Sequence, residues 1–340
     1  MTGEIDYADD DEIVVREAVP GDYPAVAAFT ADTWEGGDYI PDVFPRWMES
    51  DDPDTRTFVA VDTTESPPGP AAVDAVDPAD VEAVADDRAV GICQAVGLSE
   101  HEGWMQAMRV DPEYRGRRLS RALNDAGFHW LHETGRRVAR NMVFSWNTGG
   151  LGASRVNGFD PGTEFRWVQP EPDADATART DAASEIDADP DAAWSFWTDA
   201  ATRDALDGLA LDDTESWALS ALTRERLRTV AADDRLLTVS SPDGGIGGFS
   251  FRVRTSERED DDGETQVRGE YGVAAWDGAE SCDALLAAIS RDAAAVGADT
   301  TRVLIPESVD WVSDTALAGA DIGDEPDFVM RADLTERHWE

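Results

Sequence analysis

The arrangement of apolar and polar residues in the first half of the chain predicts alternating strands and helices. Short apolar or alternating runs predict strands at residues 13–18, 57–61, 89–98, 104–110 and 137–146. One helix begins near Asp22 and Pro24, and a longer one begins near Arg118 and ends at Gly135. The apolar face of the longer helix comprises Leu119, Ala122, Leu123, Ala126 and Trp130. This order predicts an α/β domain with a loop between its fourth strand and its long helix.

The second half of the chain repeats this order of elements. Its predicted strands are residues 236–240, 247–254, 267–276, 301–305 and 328–332, and a predicted helix covers residues 282–296. Asp277 and Glu280 stand where the first half has arginines, and an acidic loop cannot hold phosphates. We therefore expect a degenerate second copy of the first domain, with a generic α/β domain as the alternative.

Composition divides the chain into segments. Residues 1–12 form an acidic tail that we expect to be disordered, and residues 13–169 form the first domain. Within that domain, residues 63–88 are rich in Pro, Asp and Ala, which predicts a solvated insertion. Residues 170–191 predict a linker, and residues 192–340 form the second domain.

The net charge is strongly negative. Asp and Glu number 72 against 28 basic residues, all of them Arg, so the formal charge is −44. This composition is typical of proteins adapted to molar salt, where the Debye length falls to about 3 Å. An acidic protein of an ordinary cytosol is the alternative. The charge argues against nucleic acid or an anionic membrane as a partner, because phosphate binding needs a broad basic face.

The arginine-rich segment from Arg109 to Arg140 is an exception to the acidic composition. It predicts a small ligand that carries several negative charges, such as the phosphates of a coenzyme. Within it, residues 115–118 precede the long helix, whose first backbone N–H groups and dipole also favour phosphate.

Other features bear on the compartment and on metals. Cys93 and Cys282 are isolated in the sequence, which indicates a reducing compartment without disulfides. No apolar run approaches the roughly 20 residues that cross a bilayer, and the N-terminus lacks a signal peptide, so we expect a cytoplasmic protein. His129 and His132 have the helical spacing of a metal pair, but further ligands are not evident nearby, so we expect no metal.

The segment Val110–Leu123 (VDPEYRGRRLSRAL) resembles the acetyl-CoA signature of the GNAT N-acetyltransferases. The core of that signature is Arg or Gln, two residues, Gly, one residue, and Gly or Ala. Arg115 fits and Gly116 is present, whereas Arg118 and Ser120 stand where the two glycines are expected. The resemblance implies a GNAT fold, in which helices flank a mixed, mostly antiparallel sheet, and it implies acetyl-CoA as co-substrate. The coenzyme-binding residues that it implies are Met108, Arg109, Val110, Arg115, Gly116, Arg117, Arg118, Leu119, Ser120, Arg121 and Asn147.

Two further segments carry the resemblance. Asp38-Tyr39-Ile40-Pro41 and the aromatic residues around it are similar to the vertebrate histidine N-acetyltransferase-like members, in which this region overhangs the acceptor site. We expect Trp34 and Tyr39 to contact the acceptor, with core packing as the alternative. Near the end of the domain, Ser154 stands where many members have a tyrosine that protonates the leaving thiolate. Serine is a poor acid, so another group or water takes that role, or the thiolate leaves unassisted.

The resemblance also implies how the chain would act. Backbone N–H groups near Met108–Val110 would stabilise the developing oxyanion. Candidate bases are Glu35, Asp38 and Glu102, each able to act through water, and Gln106 would orient the substrate. The predicted function is acetyl transfer from acetyl-CoA to a small amine such as a free amino acid. The alternatives are a GNAT-fold module that binds coenzyme A without turnover and a protein N-acetyltransferase; the sequence predicts neither the acceptor nor the oligomeric state.

Overall fold

A computed structural model of the chain describes residues 12–33, 37–68, 84–259 and 265–335. The chain divides into two compact units, and neither unit is one continuous stretch. Unit 1 takes the described residues up to Asn141, residues Gly149–Asp160 and the segment that begins at Met330. Unit 2 takes Met142–Thr148 and Pro161–Val329. The units thus group the chain differently from the predicted domains 13–169 and 192–340, because the C-terminal segment belongs with unit 1 and residues after Asp160 belong with unit 2.

The sheet of unit 1 is mixed and mostly antiparallel, as predicted. Its strands, in spatial order, are β1 (Ile13–Glu17), β2 (Thr55–Asp62), β3 (Arg88–Gly97), β4 (Glu102–Val110) and the part of β5 (Val138–Phe144) up to Asn141. Neighbouring strands are antiparallel except β4 and β5, which are parallel. The helices of this region of the chain are α1 (Tyr23–Thr30), α2 (Ile40–Glu49), α3 (Leu119–Glu133) and α4 (Thr148–Val156). The backbone N–H of Leu334 donates to the carbonyl of Arg137 (2.9 Å), which ties the C-terminal segment to the start of β5.

The two faces of this sheet are covered by different helices. On one face, Val26 of α1 and Phe44 of α2 pack against Val59 and Ile92 of the sheet, and all four are fully buried. On the other face lies α3, which approaches the sheet closely. A Cβ at Gly103 of β4 would lie only 2.6 Å from the Leu131 side chain of α3, so a larger residue would push the helix away. This contact fixes α3, whose start follows residues 115–118, which we call the arginine loop.

Unit 2 repeats the order of elements seen in unit 1. Its strands, in chain order, are β6 (Asp160–Gln169, from Pro161), β7 (Glu185–Ile186), β8 (Leu209–Leu211), β9 (Leu219–Ala221), β10 (Leu236–Ser240), β11 (Ile246–Glu259), β12 (Thr265–Trp276), β13 (Thr300–Pro306) and β14 (Asp321–Ile322). Its helices are α5 (Pro190–Asp199), α6 (Ala201–Ala205), α7 (Arg224–Ala232), α8 (Ala279–Ala295) and α9 (Val309–Ala318). The last strand of the chain is β15 (Asp327–Asp333). The antiparallel strands β10, β11 and β12 are followed by α8, and β13 then pairs with β12 in parallel, as β5 pairs with β4.

The last residue of β12 in unit 2 is a largely buried tryptophan. The Trp276 indole N–H donates to Asp314 Oδ2 of α9 (2.9 Å), and the ring is buried with Cys282 of α8 in one apolar cluster. Asp277 and Glu280 follow Trp276 in the sequence, as the acidic loop predicted. At the position that corresponds to the loop after β4, unit 2 therefore has acidic residues in place of arginines.

The predicted strands of both halves agree with the observed ones to within a few residues, apart from the longer β11. The sequence analysis missed β6, the helices α2, α5–α7 and α9, and the β8–β9 hairpin. The predicted linker 170–191 also packs on unit 2, because Ala183 is buried in its core and Thr301 Oγ1 donates to the carbonyl of Pro170 (2.5 Å). The acidic tail, apart from Glu12, and much of the predicted insertion lie outside the described residues. None of the described helices is both long enough and apolar enough to cross a membrane.

Candidate functional site

The candidate site lies in unit 1 where β4 and β5 separate. Their parallel pairing covers only Glu102–Trp104 of β4 and Val138–Arg140 of β5. Beyond Trp104, β4 continues to Val110 without a paired residue on β5 among those that the structure describes. The side of β4 that faces β5 therefore presents backbone groups from Gln106 onward that the parallel ladder does not use.

A β-bulge marks this part of β4. Gln94 of β3 is opposite Gln106, but Ile92, two residues earlier on β3, is opposite Arg109, three residues later on β4. Ala107 within the bulge has φ +57°, which is uncommon for a residue other than glycine. Bulges interrupt a ladder and redirect the adjacent backbone, and they are frequent next to active sites. The bulge lies beside the N–H groups of Met108–Val110 that the sequence analysis assigned to oxyanion stabilisation.

The arginine loop follows β4 directly. Asp111 accepts a hydrogen bond from the backbone N–H of Glu113 (3.0 Å) and caps a short 3₁₀ turn, Pro112–Tyr114. Gly116 then has φ +85°, and Arg118 has φ +64° and ψ +19°. Residues 115–118 are exposed, and α3 begins at Leu119. Two left-handed residues within three positions turn the chain sharply, so that the loop precedes the helix start immediately.

The start of α3 has no side-chain cap. Arg118 occupies the N-cap position, and an arginine has donors but no acceptor, so it cannot accept from the first helical N–H groups. Ser120 and Arg121 lie in the first turn, and the Arg121 side chain is exposed beside Asp125 at 3.6 Å. Uncapped amides, the positive end of the helix dipole and exposed guanidinium groups together form an environment that suits phosphate.

The base of the loop is held by residues that the sequence analysis did not single out. The Tyr114 hydroxyl donates to Asp62 Oδ2 at the end of β2 (2.9 Å), and the Arg117 guanidinium lies 4.9 Å from the centre of the Tyr114 ring. Arg88 of β3 forms an ion pair with Asp111 (2.9 Å). Burial, followed by the hydrogen bond to Asp62, raises the pKa of Tyr114, so this hydroxyl remains a donor.

The Asp62 carboxylate is the acceptor in that pair. Burial acts to raise the pKa of Asp62, but hydrogen bonds from Thr64 and Tyr114 outweigh it, and the net shift is downward. The tyrosine is therefore anchored by a charged acceptor. The tyrosine that stands between Asp111-Pro112 and the arginines is the sequence signal that could have indicated the contact between Tyr114 and Asp62.

Asp38 of the predicted overhang is brought to β4. Its Oδ2 accepts from Arg109 Nε at 2.6 Å, Oδ1 lies 3.4 Å from Arg109 Nη2, and the Asp38 side chain is fully buried. The Tyr39 ring, about half exposed, lies 5.9 Å from the same guanidinium. The Asp38 carboxylate thus holds the Arg109 guanidinium through two charge-assisted hydrogen bonds, and its role as a base stays a prediction. The same geometry places Tyr39 next to the bulge.

Glu102, another predicted base, also forms an ion pair with an arginine. It lies at the paired end of β4, eight residues from Val110 and thus about 26 Å away along an extended strand. Its Oε1 accepts from Arg140 Nη1 at 2.6 Å, and its Oε2 accepts from the Ser99 hydroxyl at 3.2 Å. A buried carboxylate with these partners stabilises the β4–β5 pairing and is far from the loop. Glu102 therefore lies on the fourth strand, as the sequence predicted, but at the end of the strand that is far from the arginine loop.

The remaining predicted site residues lie in different parts of the chain. Ser154 of α4 is buried, and its Oγ accepts from Asn141 Nδ2 at 3.1 Å, so the serine hydrogen is directed elsewhere. Asn147, predicted to bind the coenzyme, lies in the segment assigned to unit 2. Trp34 and Glu35 lie outside the described residues. Within the part of the chain that the structure describes, His, Cys, Asp and Glu form no group of three or more that could hold a metal ion.

Comparisons with known proteins agree with this geometry. Residues 34–159 match the model of the Acetyltransferase (GNAT) family. Among solved structures, a GCN5-related N-acetyltransferase from Sphaerobacter thermophilus is 16% identical, with 96% of each chain covered and a TM-score of 0.56. A tandem GNAT protein from the clavulanic acid biosynthesis pathway is 12% identical, with 96% of this chain and 100% of that chain covered and a TM-score of 0.50.

A third solved structure contains the glucosamine N-acetyltransferase region of a fungal multi-domain β-N-acetylglucosaminidase. It is 13% identical, with 94% of this chain and 38% of that chain covered and a TM-score of 0.55. None of the curated proteins matches the sequence significantly. At these identities the similarity concerns the fold, and the cover by a tandem GNAT protein fits a second GNAT-like half. The narrower resemblance to histidine N-acetyltransferase-like proteins stays a prediction. The chain therefore adopts the GNAT fold, and its residues 34–159 match the GNAT acetyltransferase family.

Proposed function

We propose that this chain is an acetyl-CoA-dependent N-acetyltransferase that acts on a small amine. One observation carries the proposal: the uncapped start of α3, with its arginine loop, directly follows the strand whose ladder with β5 ends early. Phosphate binding and oxyanion stabilisation need these two features side by side. The family match over residues 34–159 supports the same activity.

The residues present fit the coenzyme. The first amides of α3 and the exposed side chains of Arg115 and Arg118 would hold its phosphates. A Cβ at Gly116 would meet no atom within 4 Å, so the loop surface is open at that point. The backbone N–H groups of β4 beyond the bulge would hold the thioester oxygen. When bound, acetyl-CoA supplies the acetyl group as a thioester.

A small amine is the proposed acceptor, and the resemblance of residues 38–41 to histidine N-acetyltransferase-like proteins supports a free amino acid. Tyr39 lies at the position where that resemblance places the acceptor, next to Arg109 and the bulge. Cytoplasmic location and adaptation to molar salt belong to the same proposal and rest on composition.

The base is proposed to be Glu35. Asp38 and Glu102 are both held in ion pairs with arginines, which leaves Glu35 as the remaining predicted carboxylate. The same ion pairs, with serine at position 154, favour one second candidate function. In that case the chain binds coenzyme A without turnover.

The test is calorimetric titration with acetyl-CoA in 2 M KCl, followed by thiol release with a panel of amines. We expect binding, and we expect Arg115→Ala to weaken it by about tenfold or more, because a charge-assisted hydrogen bond contributes roughly 1.5–3 kcal/mol. Arg224→Gln, which removes an exposed arginine from α7, is the matched control and should leave binding unchanged.

Three outcomes separate the candidates. Absence of acetyl-CoA binding refutes both functions. Binding with thiol release for one or more amines supports the enzyme, and Glu35→Gln should then abolish release while binding persists. Binding without release for any amine, including peptides, supports the module that binds without turnover.

A further inference from the structure

A pocket of about 550 Å³ lies within unit 2, at the end of β12. In the repeated order of elements, the end of β12 corresponds to the end of β4, after which unit 1 has its arginine loop. The volume is within the range of pockets that bind small molecules. The lining includes Phe196, Asp199, Ala201, Ile246, Trp276 and Asp277. We call this cavity the β12 pocket.

Two aromatic rings form part of its wall, and packing fixes both. The Trp276 indole N–H donates to Asp314 Oδ2 (2.9 Å), and Trp276 is 7% exposed. The partly buried Phe196 ring packs edge to face against Phe249, with 6.2 Å between the ring centres. Ile246 adds an aliphatic surface to the wall. Because these side chains are already ordered, an apolar group can bind without the cost of immobilising them.

Two carboxylates line the same pocket. Asp199 is the last residue of α5, and Asp277 follows β12 directly. Both residues are exposed, and neither side chain forms a hydrogen bond or an ion pair with any residue that the structure describes. Asp191, near the other end of α5, instead pairs with Arg224 and Arg228. The pocket therefore carries negative charge that the described part of the chain leaves without a direct counter-charge.

Helix dipoles and the neighbouring sequence favour the same sign of ligand. The negative end of the α5 dipole lies at Asp199 and attracts a cation. The positive end of the α8 dipole lies at Ala279, but Asp277 and Glu280 flank it in the sequence. In unit 1 the corresponding residues 115–118 include three arginines. The charge at this position of the repeat is therefore reversed, from one that suits phosphate to one that suits a cation.

The apolar wall decides which kind of cation fits. Hard metal ions require several oxygen ligands and gain nothing from an apolar surface. An ammonium group attached to an apolar body matches both parts of the pocket, since carboxylates accept its hydrogen bonds and aromatic rings attract its charge.

We propose that the β12 pocket binds an organic ammonium ion. Its ammonium group contacts Asp199 and Asp277. Its apolar body packs against Phe196, Ile246 and Trp276. The pocket uses no residue of the arginine loop or of the β4 bulge, so the inference goes beyond the proposed acetyltransferase function.

The test is calorimetric titration of the full chain in molar KCl with two probes that share one carbon skeleton. The first is 4-phenylbutylammonium, and the second is 4-phenylbutan-1-ol, in which a hydroxyl replaces the charged group. We expect the ammonium to bind about tenfold more tightly or better, because charge-assisted hydrogen bonds are roughly twice as strong as neutral ones. Equal affinities for the two probes, or no binding of the ammonium, overturn the proposal.

Variants of the lining locate the bound probe. Asp199→Asn and Asp277→Asn should each weaken ammonium binding several-fold, and the double variant should weaken it about tenfold, with little effect on the alcohol. Ala201→Trp should abolish binding of both probes, because it fills the pocket from an exposed position that tolerates a large side chain. Glu171→Gln, which changes an exposed acid of unit 2 outside the pocket lining, is the matched control and should have no effect.

A further control is needed because the proposed acceptor site also binds an amine. Tyr39→Ala changes that site and should leave the affinity for 4-phenylbutylammonium within twofold. If Tyr39→Ala abolishes binding while Asp277→Asn and Ala201→Trp leave it intact, the probe occupies the acceptor site and the β12 pocket is not its site. A failure of the protein to bind acetyl-CoA would refute the proposed function and leave this test unchanged.

Discussion

The left-handed backbone at Arg118 gives a quantitative prediction. Arg118 has φ +64° and ψ +19°, in the region that costs a residue with a Cβ about 1–2 kcal/mol. Glycine has no such cost but loses more backbone entropy on folding, by about 0.5–1 kcal/mol. Arg118→Gly should therefore be more stable than Arg118→Ala by roughly 0.5–1 kcal/mol. The comparison with alanine removes the guanidinium from both variants and isolates the backbone term.

At Gly116 in the same loop, substitution by alanine should lower the free energy of unfolding. Its φ is +85°, and a Cβ there would meet nothing within 4 Å, so Gly116→Ala adds backbone strain without a clash. We expect a loss of about 1 kcal/mol in the free energy of unfolding. The two positions form a matched pair because both lie between β4 and α3.

Hydrogen exchange of the backbone amides of residues 119–133 in the intact protein, in 2 M KCl, measures these differences in stability at α3. Exchange from α3 should be slower in Arg118→Gly than in Arg118→Ala, and faster in Gly116→Ala than in the wild type. A glycine variant that exchanges faster than the alanine variant at position 118 would show that the loop is not left-handed there. The backbone geometry on which the proposed phosphate site at the start of α3 depends would then be wrong.

Two further predictions concern pH and salt. Burial raises the pKa of Asp327 to about 6, although the hydrogen bond from Trp167 Nε1 (3.2 Å) opposes the shift. The folded protein therefore binds a proton at the Asp327 carboxyl more tightly than the unfolded chain does. Protonated Asp327 contributes on the order of 2 kcal/mol to the free energy of unfolding below about pH 4, and this contribution is lost as the pH rises to about 6. Asp327→Asn should be more stable relative to the wild type at pH 7 than at pH 4 in urea titrations, and a constant difference between the two would contradict the raised pKa. The net charge of −44 predicts that the melting temperature falls steeply below roughly 0.5 M KCl, as the Debye length lengthens, and an unchanged melting temperature in dilute buffer would refute adaptation to molar salt.

Several features of the fold were accessible from the sequence because they are local. Strand β10 was predicted at its observed bounds, and the start of α3 within one residue, since apolar periodicity and turn residues act over a few positions. The repeated order of elements and the arginine loop were visible for the same reason. The helices α5–α7 and α9 were missed because each has ten residues or fewer, which is too short to show a helical period clearly.

Residues distant in sequence needed the tertiary structure. Asp38 and Arg109 are 71 positions apart, and only strand register with the placement of α2 shows that they pair. The bulge at Ala107 carries no glycine or proline signal, so the local sequence did not predict it. Asp38 and Glu102 were predicted as bases, and only the tertiary structure shows that an arginine pairs with each of them.

The sequence by itself predicted most of the strands, their order in both halves and an arginine-rich loop before the long helix, since each depends on residues close together in the chain. The tertiary structure alone decided which carboxylates are neutralised, where β4 leaves β5, and that Phe196, Ile246 and Trp276 line one pocket. It also decided that the segment from Met330 belongs with unit 1. The physical reason is that strand register and ion pairing depend on the whole packed sheet, which no local pattern of residues specifies.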